Sequence, residues 1–329
     1  MAGEPRPPVE DAPRASAVAI VIPCFNVEQH IAGVIHAIPA RYGHIICVDD
    51  CSTDGTAPAI EALGDERVTL IRRERNGGVG AATKTGYREA LRRDVAVCVK
   101  MDGDGQMSPE DLPALVAPLL AGEADYSKGN RFVDRQALRA MPRHRLLGNA
   151  LLLFVSKAAC GYWNMLDVTN GYTAITTAML RRLVFSLLDE RYFFETSMLI
   201  ELNILRARVI DVEMKARYGD EMSSLRIRTV ALSFPWLLVR GVQRRFYWRY
   251  LIHDFGVVSV CALLGLPLVL FGVVFGAREW IRSAQTGVVA SAGTVLLAAL
   301  PILLGVQLLL VALVLDVVSS DTAKSRARK

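Results

Sequence analysis

Two aspartates separated by one glycine, Asp102 and Asp104, lie just after an apolar run over residues 95–99 that is typical of a buried strand. Carboxylate oxygens are the ligands that hard divalent cations prefer, and the glycines beside them leave room for a diphosphate against the backbone. Asp-Gly-Asp-Gly runs also occur in surface turns and calcium loops, although the spaced ligands and closing glutamate of an EF-hand are absent here. The pattern predicts a divalent cation site that also binds a diphosphate.

Glycine, asparagine and acidic residues also follow three earlier apolar runs. The first run ends at 23–26 (PCFN), the second at 49–56 (DDCSTDGT), and the third leads into 76–80 (NGGVG). In doubly wound sheets, ligands bind beyond the carboxyl ends of the parallel strands. Segment 52–56 alone is also typical of a helix cap, and 76–80 of a turn, so it is their order along the chain that predicts one continuous crevice.

The elements that must position these residues alternate between β-rich apolar runs and helical patterns from residue 18 to 101, which predicts a parallel sheet covered by helices. A further helix start is predicted at Ser108, a capping residue followed by Pro109. No G-x-G-x-x-G follows the first run and no G-x-x-x-x-G-K-[ST] occurs, which disfavours dehydrogenases and P-loop enzymes. The predicted strands are 18–22, 45–48, 68–71 and 95–99, and the predicted helices are 29–38, 56–63 and 81–91.

Two long stretches near the C-terminus, Phe255–Ala277 and Gly287–Leu315, contain no charged residue. As helices of 23 and 29 residues they would be about 35 and about 43 Å long, enough to cross a hydrocarbon core of about 30 Å. We therefore predict two transmembrane helices joined by the loop Arg278–Thr286.

The formal net charge of +5 is unevenly distributed along the chain. Residues 1–225 carry 26 Lys/Arg and 29 Asp/Glu, so the basic excess belongs to the segments that flank the two apolar stretches. This distribution disfavours nucleic acid as a partner and favours an anionic membrane surface. Because basic residues precede the first stretch and follow the second, the positive-inside rule predicts an integral cell membrane protein whose N-terminal domain and both termini are cytoplasmic.

A helix over Trp236–Leu251 is predicted to lie in the membrane interface, with Pro235 separating it from a shorter helix over Ser224–Ser233. Its apolar residues recur at every fourth position, while its arginines fall on other faces, where they would meet lipid headgroups. These residues are Leu238, Val242, Phe246 and Tyr250, and Arg240, Arg244 and Arg245.

Eight short motifs occur in order along the chain: VIPCFN, VDDCSTDGT, NGGVG, MDGDGQMSPED, GNRF, RLLGN, TNGYTAI and RYGDEMSSL. With these motifs the chain resembles family 2 glycosyltransferases of the GT-A fold, and more narrowly the polyprenyl-phosphate glycosyltransferases that include dolichol-phosphate mannose synthase. The resemblance extends from Val18 to about Leu225. It implies an α/β fold, a Rossmann-like mixed sheet with helices on both faces, followed by amphipathic interface helices and two transmembrane helices.

The resemblance implies a metal-dependent, inverting hexosyltransferase that moves a sugar such as glucose or mannose from a nucleotide diphosphate sugar to a polyprenyl phosphate. It also implies Mg²⁺ or Mn²⁺ as cofactor and a homo-oligomeric state. Catalytic roles would fall to Asp102, Asp104 and Arg131, with Gln106 as a further metal ligand. The implied nucleotide site comprises Pro23, Phe25, Asn26, Asp50, Asn76, Gly77, Gly80 and Asp102. The implied acceptor phosphate site comprises Arg131, Arg145 and Asn170, with Arg217 on a loop that closes over the diphosphate.

Three departures from the family pattern bear on these roles: Val27 stands where glutamate is common, Asn170 where serine is common, and Ser224 where lysine is usual. Two alternatives stay open: a transferase acting on an already glycosylated lipid or surface glycan, and a non-catalytic membrane scaffold that binds a nucleotide sugar. The expected organisation is a disordered tail over 1–16, a GT-A domain over 17–222, interface helices over 223–253, transmembrane helices over 254–318 and a basic cytoplasmic tail over 319–329.

Overall fold

The computed structural model describes residues 17–130, 153–165, 167–214 and 227–327, with the backbone alone at 227–233 and 320–327. The chain forms two compact units. The first comprises Met1–Cys160 and Met165–Gly241, and the second comprises Gly161–Asn164 and Val242–Lys329. The boundary between residues 241 and 242 falls inside the segment that the sequence predicts as membrane-interface helices.

The first unit is built on one mixed sheet of seven strands. The strands are β1 (Val18–Cys24), β2 (His44–Asp49), β3 (Val68–Arg72), β4 (Val97–Lys100), β5 (Tyr126–Asn130), β6 (Thr173–Thr176) and β7 (Val209–Glu213), in the spatial order β3-β2-β1-β4-β6-β5-β7. β1 to β4 are parallel, β6 runs antiparallel to β4 and β5, and β7 is parallel to β5. The four strands predicted from the sequence are confirmed.

Helices pack on both faces of this sheet because successive residues of a strand point to opposite sides. The helices of the first unit include α1 (Glu28–Ala37), α2 (Thr56–Glu61), α3 (Val79–Ala90), α4 (Leu112–Leu120), α5 (Thr177–Leu180) and α6 (Phe194–Ile204). Ile20 of β1 lies in one core with Ile31 of α1 and Leu112 of α4. On the other face Val21 packs so closely on α3 that a Cβ at Gly86 would lie 2.3 Å from the valine Cγ1. The covered sheet is therefore confirmed.

The predicted helix start at Ser108 is also confirmed. Its hydroxyl accepts a hydrogen bond from the backbone N–H of Glu110 at 3.4 Å, and a 3₁₀ turn over Pro109–Asp111 leads directly into α4. This start fixes where the chain leaves the segment that contains the two aspartates.

The interface segment differs from its prediction, because α7 (Ile227–Arg245) continues through Pro235 without a break. Packing on both sides of the proline holds the helix together: Phe234 makes an edge-to-face contact with Phe193 at 5.3 Å, and a Cβ at Gly241 would lie 2.6 Å from Ile200. Tertiary contacts of this kind outweigh the one hydrogen bond that a proline removes. A π-helix over Phe246–His253 follows.

The second unit contains two long apolar helices, α8 (Val257–Thr286) and α9 (Ala292–Ala327). Val257–Thr286 and Ala292–Ser319 are long and apolar enough to cross a membrane, with mean hydropathies of 2.7 and 2.6. The helices approach closely at glycines: a Cβ at Gly265 would lie 2.9 Å from the carbonyl oxygen of Gly305. Small residues permit such packing where no hydrophobic driving force acts between helices.

The predicted loop over Arg278–Thr286 is wrong, because these residues form the last turns of α8. Glu279 and Arg282, which suggested a polar loop, instead lie three residues apart on the helix and pair at 3.6 Å. The helix ends at Gly287, whose φ of +67° is the left-handed conformation typical of a helix C-terminus.

Candidate functional site

The two aspartates lie where the sequence predicts them, directly after β4 at the carboxyl edge of the sheet. The Asp102 side chain is 30% exposed, and its Oδ1 accepts a hydrogen bond from Lys100 Nζ at 2.7 Å. Oδ1 of Asp104 accepts the backbone N–H of Gln106 at 3.0 Å, across a turn in which Gly105 has a φ of +78°. The loop therefore gathers two carboxylates and one amide within five residues.

Lys100, the last residue of β4, is a member of the site that the sequence analysis missed. Its side chain is only 1% exposed, and its ammonium also pairs with Glu195 Oε1 at 3.2 Å and lies 3.4 Å from the carbonyl oxygen of Gly171. Burial alone would lower the pKa of Lys100, but the carboxylates of Asp102 and Glu195 raise the pKa by more than burial lowers it, so the net pKa is raised. The ammonium is thus a permanent positive charge behind the acidic pair.

The TNGY segment predicted for the acceptor also reaches the acidic pair. A Cβ at Gly171 would lie 2.6 Å from Lys100 Nζ and 2.8 Å from Asp102 Oδ2. Only a residue without a side chain fits at position 171 without displacing one of these groups.

Asp50, predicted to contact the nucleotide base or ribose, is buried and bound to the glycine segment after β3. Its carboxylate accepts the backbone N–H groups of Gly77 at 3.1 Å and Gly78 at 2.6 Å, and it pairs with Arg73. Gly78 has a φ of +94°, and a Cβ there would lie 2.7 Å from the carbonyl oxygen of Glu190. The structure therefore joins the ends of β2 and β3 through Asp50, which leaves base contact by this side chain a prediction.

The end of β1 is tied to the segment after β2. Asn26, with a φ of +54°, donates its backbone N–H to Ser52 Oγ at 3.0 Å and accepts the N–H of Thr53 at 2.9 Å. Phe25 is 48% exposed and presents an aromatic face, whereas Pro23 is buried within β1. Of the predicted framing pair, only Phe25 is thus accessible to a base in this structure.

The remaining residues predicted for the nucleotide lie on the glycine segment. Asn76 is exposed, while Gly80 is buried so tightly that a Cβ would lie 2.5 Å from the carbonyl oxygen of Asp189. The structure thus brings the ends of β1 to β4 to one edge, as the crevice prediction requires.

Glutamate is displaced by one position relative to the family pattern. Glu28, next to Val27, accepts the backbone N–H of Gly55 at 2.9 Å, and its own N–H donates to Asp54 at 3.2 Å. Asp54 also accepts the N–H of Thr56, the first residue of α2, at 3.0 Å. The N-cap of α2 is Gly55, which makes no side-chain cap hydrogen bond, so Asp54 forms a turn ahead of the helix and is not its N-cap.

The predicted acceptor residues Arg131, Arg145 and Arg217 lie outside the described residues. Asn170 is described, and the structure gives its side chain another role. Its amide nitrogen donates to the carbonyl oxygen of Gly129 at 2.8 Å, and its amide oxygen accepts the N–H of Tyr172 at 3.0 Å. The residue is 2% exposed, and its amide links β5 to the residue just before β6, so a contact with the acceptor phosphate stays a prediction.

The three arginines predicted at the membrane interface have different surroundings. Arg240 is exposed and Arg244 is half-buried. Arg245 instead makes two hydrogen bonds of 2.8 Å to the carboxylate of Asp316 in α9, and both side chains are buried. Its predicted exposure to lipid headgroups is therefore corrected.

Comparison with known proteins identifies the family. Residues 19–184, half of the chain, match the family described as Glycosyl transferase family 2. The chain belongs to this family. It is a glycosyltransferase, and the resemblance found in the sequence motifs is confirmed.

Two relatives resemble the chain over most of their own length. The UDP-N-acetylglucosamine–dolichyl-phosphate N-acetylglucosaminyltransferase of Methanococcus voltae is 28% identical over 66% of this chain and 92% of its own length. The polyprenol monophosphomannose synthase of Mycolicibacterium smegmatis is 34% identical over 54% of this chain and 68% of its own length.

A solved structure supports the fold. Glucosyl-3-phosphoglycerate synthase from Mycobacterium tuberculosis, crystallised with Mn²⁺, UDP and glucosyl-3-phosphoglycerate, superposes with a TM-score of 0.50. The superposition covers 78% of this glycosyltransferase and 88% of the synthase at 21% identity. This likeness confirms the predicted GT-A type of fold.

The donor set of the site fits a divalent cation bound together with a diphosphate. Asp102, Asp104 and Gln106 offer oxygen ligands suited to Mg²⁺ or Mn²⁺. Within the part of the chain that the structure describes, no group of three or more His, Cys, Asp or Glu could hold a metal. A cation here would draw its other ligands from water and from the diphosphate, as Mg²⁺ does at phosphate sites.

Proposed function

We propose that this glycosyltransferase moves a sugar from a nucleotide diphosphate sugar to a polyprenyl phosphate at a membrane surface. The observation that carries the proposal is the combination, in one family 2 chain, of the acidic pair after β4 with two helices long enough to cross a membrane. The relatives named for dolichyl-phosphate and polyprenol-phosphate transfer support the same acceptor class.

The reaction requires little base catalysis from the protein. A phosphate monoester has a second pKa of about 6, so the acceptor oxygen is already anionic near neutral pH and needs positioning more than deprotonation. Glu195, the carboxylate nearest the acidic pair on α6, is engaged by Lys100. The family resemblance implies a single in-line displacement with inversion at the sugar carbon.

The larger demand is the negative charge that gathers on the departing nucleoside diphosphate. Asp102 and Asp104, with Gln106, would hold Mg²⁺ or Mn²⁺, which acts as a Lewis acid on the diphosphate oxygens when bound. The exposed face of Phe25 would orient the nucleotide base.

Arginine is suited to the acceptor phosphate because a planar guanidinium can bind two phosphate oxygens and does not lose its charge. Arg131 directly follows Asn130, the last residue of β5. β5 runs in the same direction as β4, since both are antiparallel to β6, so the chain leaves β5 at the edge that carries the acidic pair. We assign Arg131 to the acceptor phosphate on this basis, and Arg145 and Arg217 on the family resemblance alone.

The predicted orientation places the first unit and both termini in the cytoplasm, with the exposed Arg240 at the headgroups. Protease protection of termini in inverted membrane vesicles tests it: both termini should be cleaved when the cytoplasmic face is outside. The homo-oligomeric state stays a prediction that light scattering of the detergent-solubilised protein would test.

Transfer is tested with the purified full chain, radiolabelled UDP- and GDP-sugars and a polyprenyl phosphate, followed by thin-layer separation of the lipid. We expect one nucleotide sugar to label the lipid, Asp104→Asn to reduce labelling at least about a hundredfold, and Asp94→Asn, exposed before β4, to leave it unchanged. Labelling only of an already glycosylated lipid would favour the first alternative. An Asp104→Ala variant that retains full cellular function would favour the scaffold.

A further inference from the structure

A buried pair of opposite charges lies behind the acidic site and has no part in the mechanism above. Lys100 is 1% exposed and Glu195 12%, and their charged groups are 3.2 Å apart. Burying an ammonium and a carboxylate is costly even when they are paired, and apolar residues of similar volume are often at least as stabilising. Their position beside Asp102 therefore calls for an explanation beyond packing.

The geometry divides the two oxygens of Asp102 between different partners. Oδ1 receives the Lys100 ammonium at 2.7 Å, while Oδ2 lies on the side of Gly171, where a Cβ would come within 2.8 Å of it. Asp102 is more exposed than Lys100 or Glu195, so the pair lies on the buried side of this carboxylate. Lys100 thus fixes one oxygen of Asp102 and leaves the other for a ligand.

We propose that Lys100 and Glu195 are positioning residues that set the charge of the acidic site and hence its affinity for a divalent cation, an inference that rests on the metal role in the proposed function. Lys100 orients Asp102 and offsets one negative charge. Glu195 holds Lys100 in place and adds one negative charge, which balances the positive charge of Lys100. With Asp102 and Asp104, the four side chains carry a net charge of about −2.

The proposal makes the two members of the pair act in opposite directions. Removing the Lys100 charge leaves three carboxylates near the cation and strengthens its binding, whereas removing the Glu195 charge weakens it. Removing both charges restores the original net charge. A unit charge within a few ångströms of a divalent ion at a partly buried site is expected to change affinity about tenfold or more.

The test measures Mn²⁺ binding to the full chain in detergent, from the electron paramagnetic resonance signal of free Mn²⁺, alone and with UDP or GDP. The variants are Lys100→Met, Glu195→Gln and the double variant. We expect the Mn²⁺ dissociation constant to fall about tenfold in Lys100→Met, to rise about tenfold in Glu195→Gln, and to return to within about threefold of the wild type in the double variant.

A matched control is available on α3. Lys84 is also buried, pairs with Glu190 at 3.1 Å and donates to the carbonyl oxygen of Leu188 at 3.2 Å. Lys84→Met should leave Mn²⁺ binding unchanged. If Lys100→Met does not fold, the comparison of Glu195→Gln with the double variant still decides, since the proposal requires weakening in the first and restoration in the second.

A purely structural role for the pair predicts that both single variants weaken binding and that the double variant is no better than either. That result, or wild-type protein that binds no Mn²⁺ in any condition, would overturn the inference. The transfer assay fails or succeeds independently: Mn²⁺ affinities in the expected order without any labelled polyprenyl product would reject the acceptor assignment and keep the role of the pair.

Discussion

Asp316 is the side chain whose removal should most destabilise the second unit. It lies in α9 within the span Ala292–Ser319, and its buried carboxylate accepts two hydrogen bonds of 2.8 Å from Arg245. Trp163 donates its indole N–H to the same carboxylate at 3.0 Å, and the hydroxyl of Tyr250 donates to Oδ1. Ionisable residues within membrane helices persist where they are paired in this way.

The expected magnitude follows from what each change leaves behind. Asp316→Ala removes the counter-charge of a guanidinium that is 7% exposed, and breaking a buried ion pair from one side costs about 3–5 kcal/mol. The double variant Asp316→Ala/Arg245→Met removes both charges, so it should lose clearly less than the single variant. Such a coupling is measured by a double-mutant cycle.

The assay is denaturant-induced unfolding of the purified protein in detergent, followed by tryptophan fluorescence. Glu279→Gln is the control, because it breaks an ion pair of the same unit whose arginine is 73% exposed, and such exposed pairs contribute about 0–1 kcal/mol. A buried ion pair of this kind would be contradicted if Asp316→Ala lost no more stability than Glu279→Gln. It would also be contradicted if the double variant lost as much as Asp316→Ala and Arg245→Met, each measured alone, lose together.

Three further predictions concern the first unit. In thermal unfolding, Gly78→Ala should lower stability by about 1–3 kcal/mol, because φ is +94° there and a Cβ would meet a backbone carbonyl at 2.7 Å. The control Gly33→Ala has open space around its Cα and should not lower stability. Gly171→Ala should reduce transfer about a hundredfold by displacing Asp102, and an unchanged turnover number would contradict the clearance argument. Burial lowers the pKa of Lys128 from 10.5 to about 8. Between these pH values the unfolded chain binds a proton that the folded chain lacks, so stability increases with pH. The midpoint temperature of unfolding should therefore rise as the pH is raised from about 8 to 10.5, and Lys128→Met should flatten that rise.

The part of the sheet built from local patterns could be predicted from the sequence. β1 to β4 are short apolar runs separated by helical patterns, and the burial of β1 over its whole length matches its run of aliphatic residues. The acidic pair could be placed at a strand end for the same reason. These features depend only on neighbouring residues, which a sequence displays directly.

The strands β5 and β6 could not be predicted, because their sequences lack a run of apolar residues. β5 reads YSKGN and is nevertheless fully buried, with Lys128 donating to the carbonyl oxygen of Asn170. β6 has four residues, two of them threonine. Such segments become strands through pairing partners far along the chain, and their burial follows from the sheet and not from their composition.

Ionisable residues in apolar segments are the signal that sequence analysis could have used more fully. Lys100 ends the apolar strand β4, and Asp316 follows a charge-free stretch in α9. A charge in such a place is tolerated only with a partner, so its presence predicts an opposite charge or a set of carbonyls nearby in space.

The sequence does not show which residue becomes the partner of each buried charge. Glu195 lies 95 residues from Lys100, and Arg245 lies 71 residues from Asp316, so no helical or strand period connects them. The four-residue pattern that assigned Arg245 to the membrane surface takes account only of the helix that carries it. The pattern therefore assigned Arg245 to lipid headgroups, although in the fold its charge pairs with Asp316. A local pattern would miss Glu195, the partner of Lys100, for the same reason.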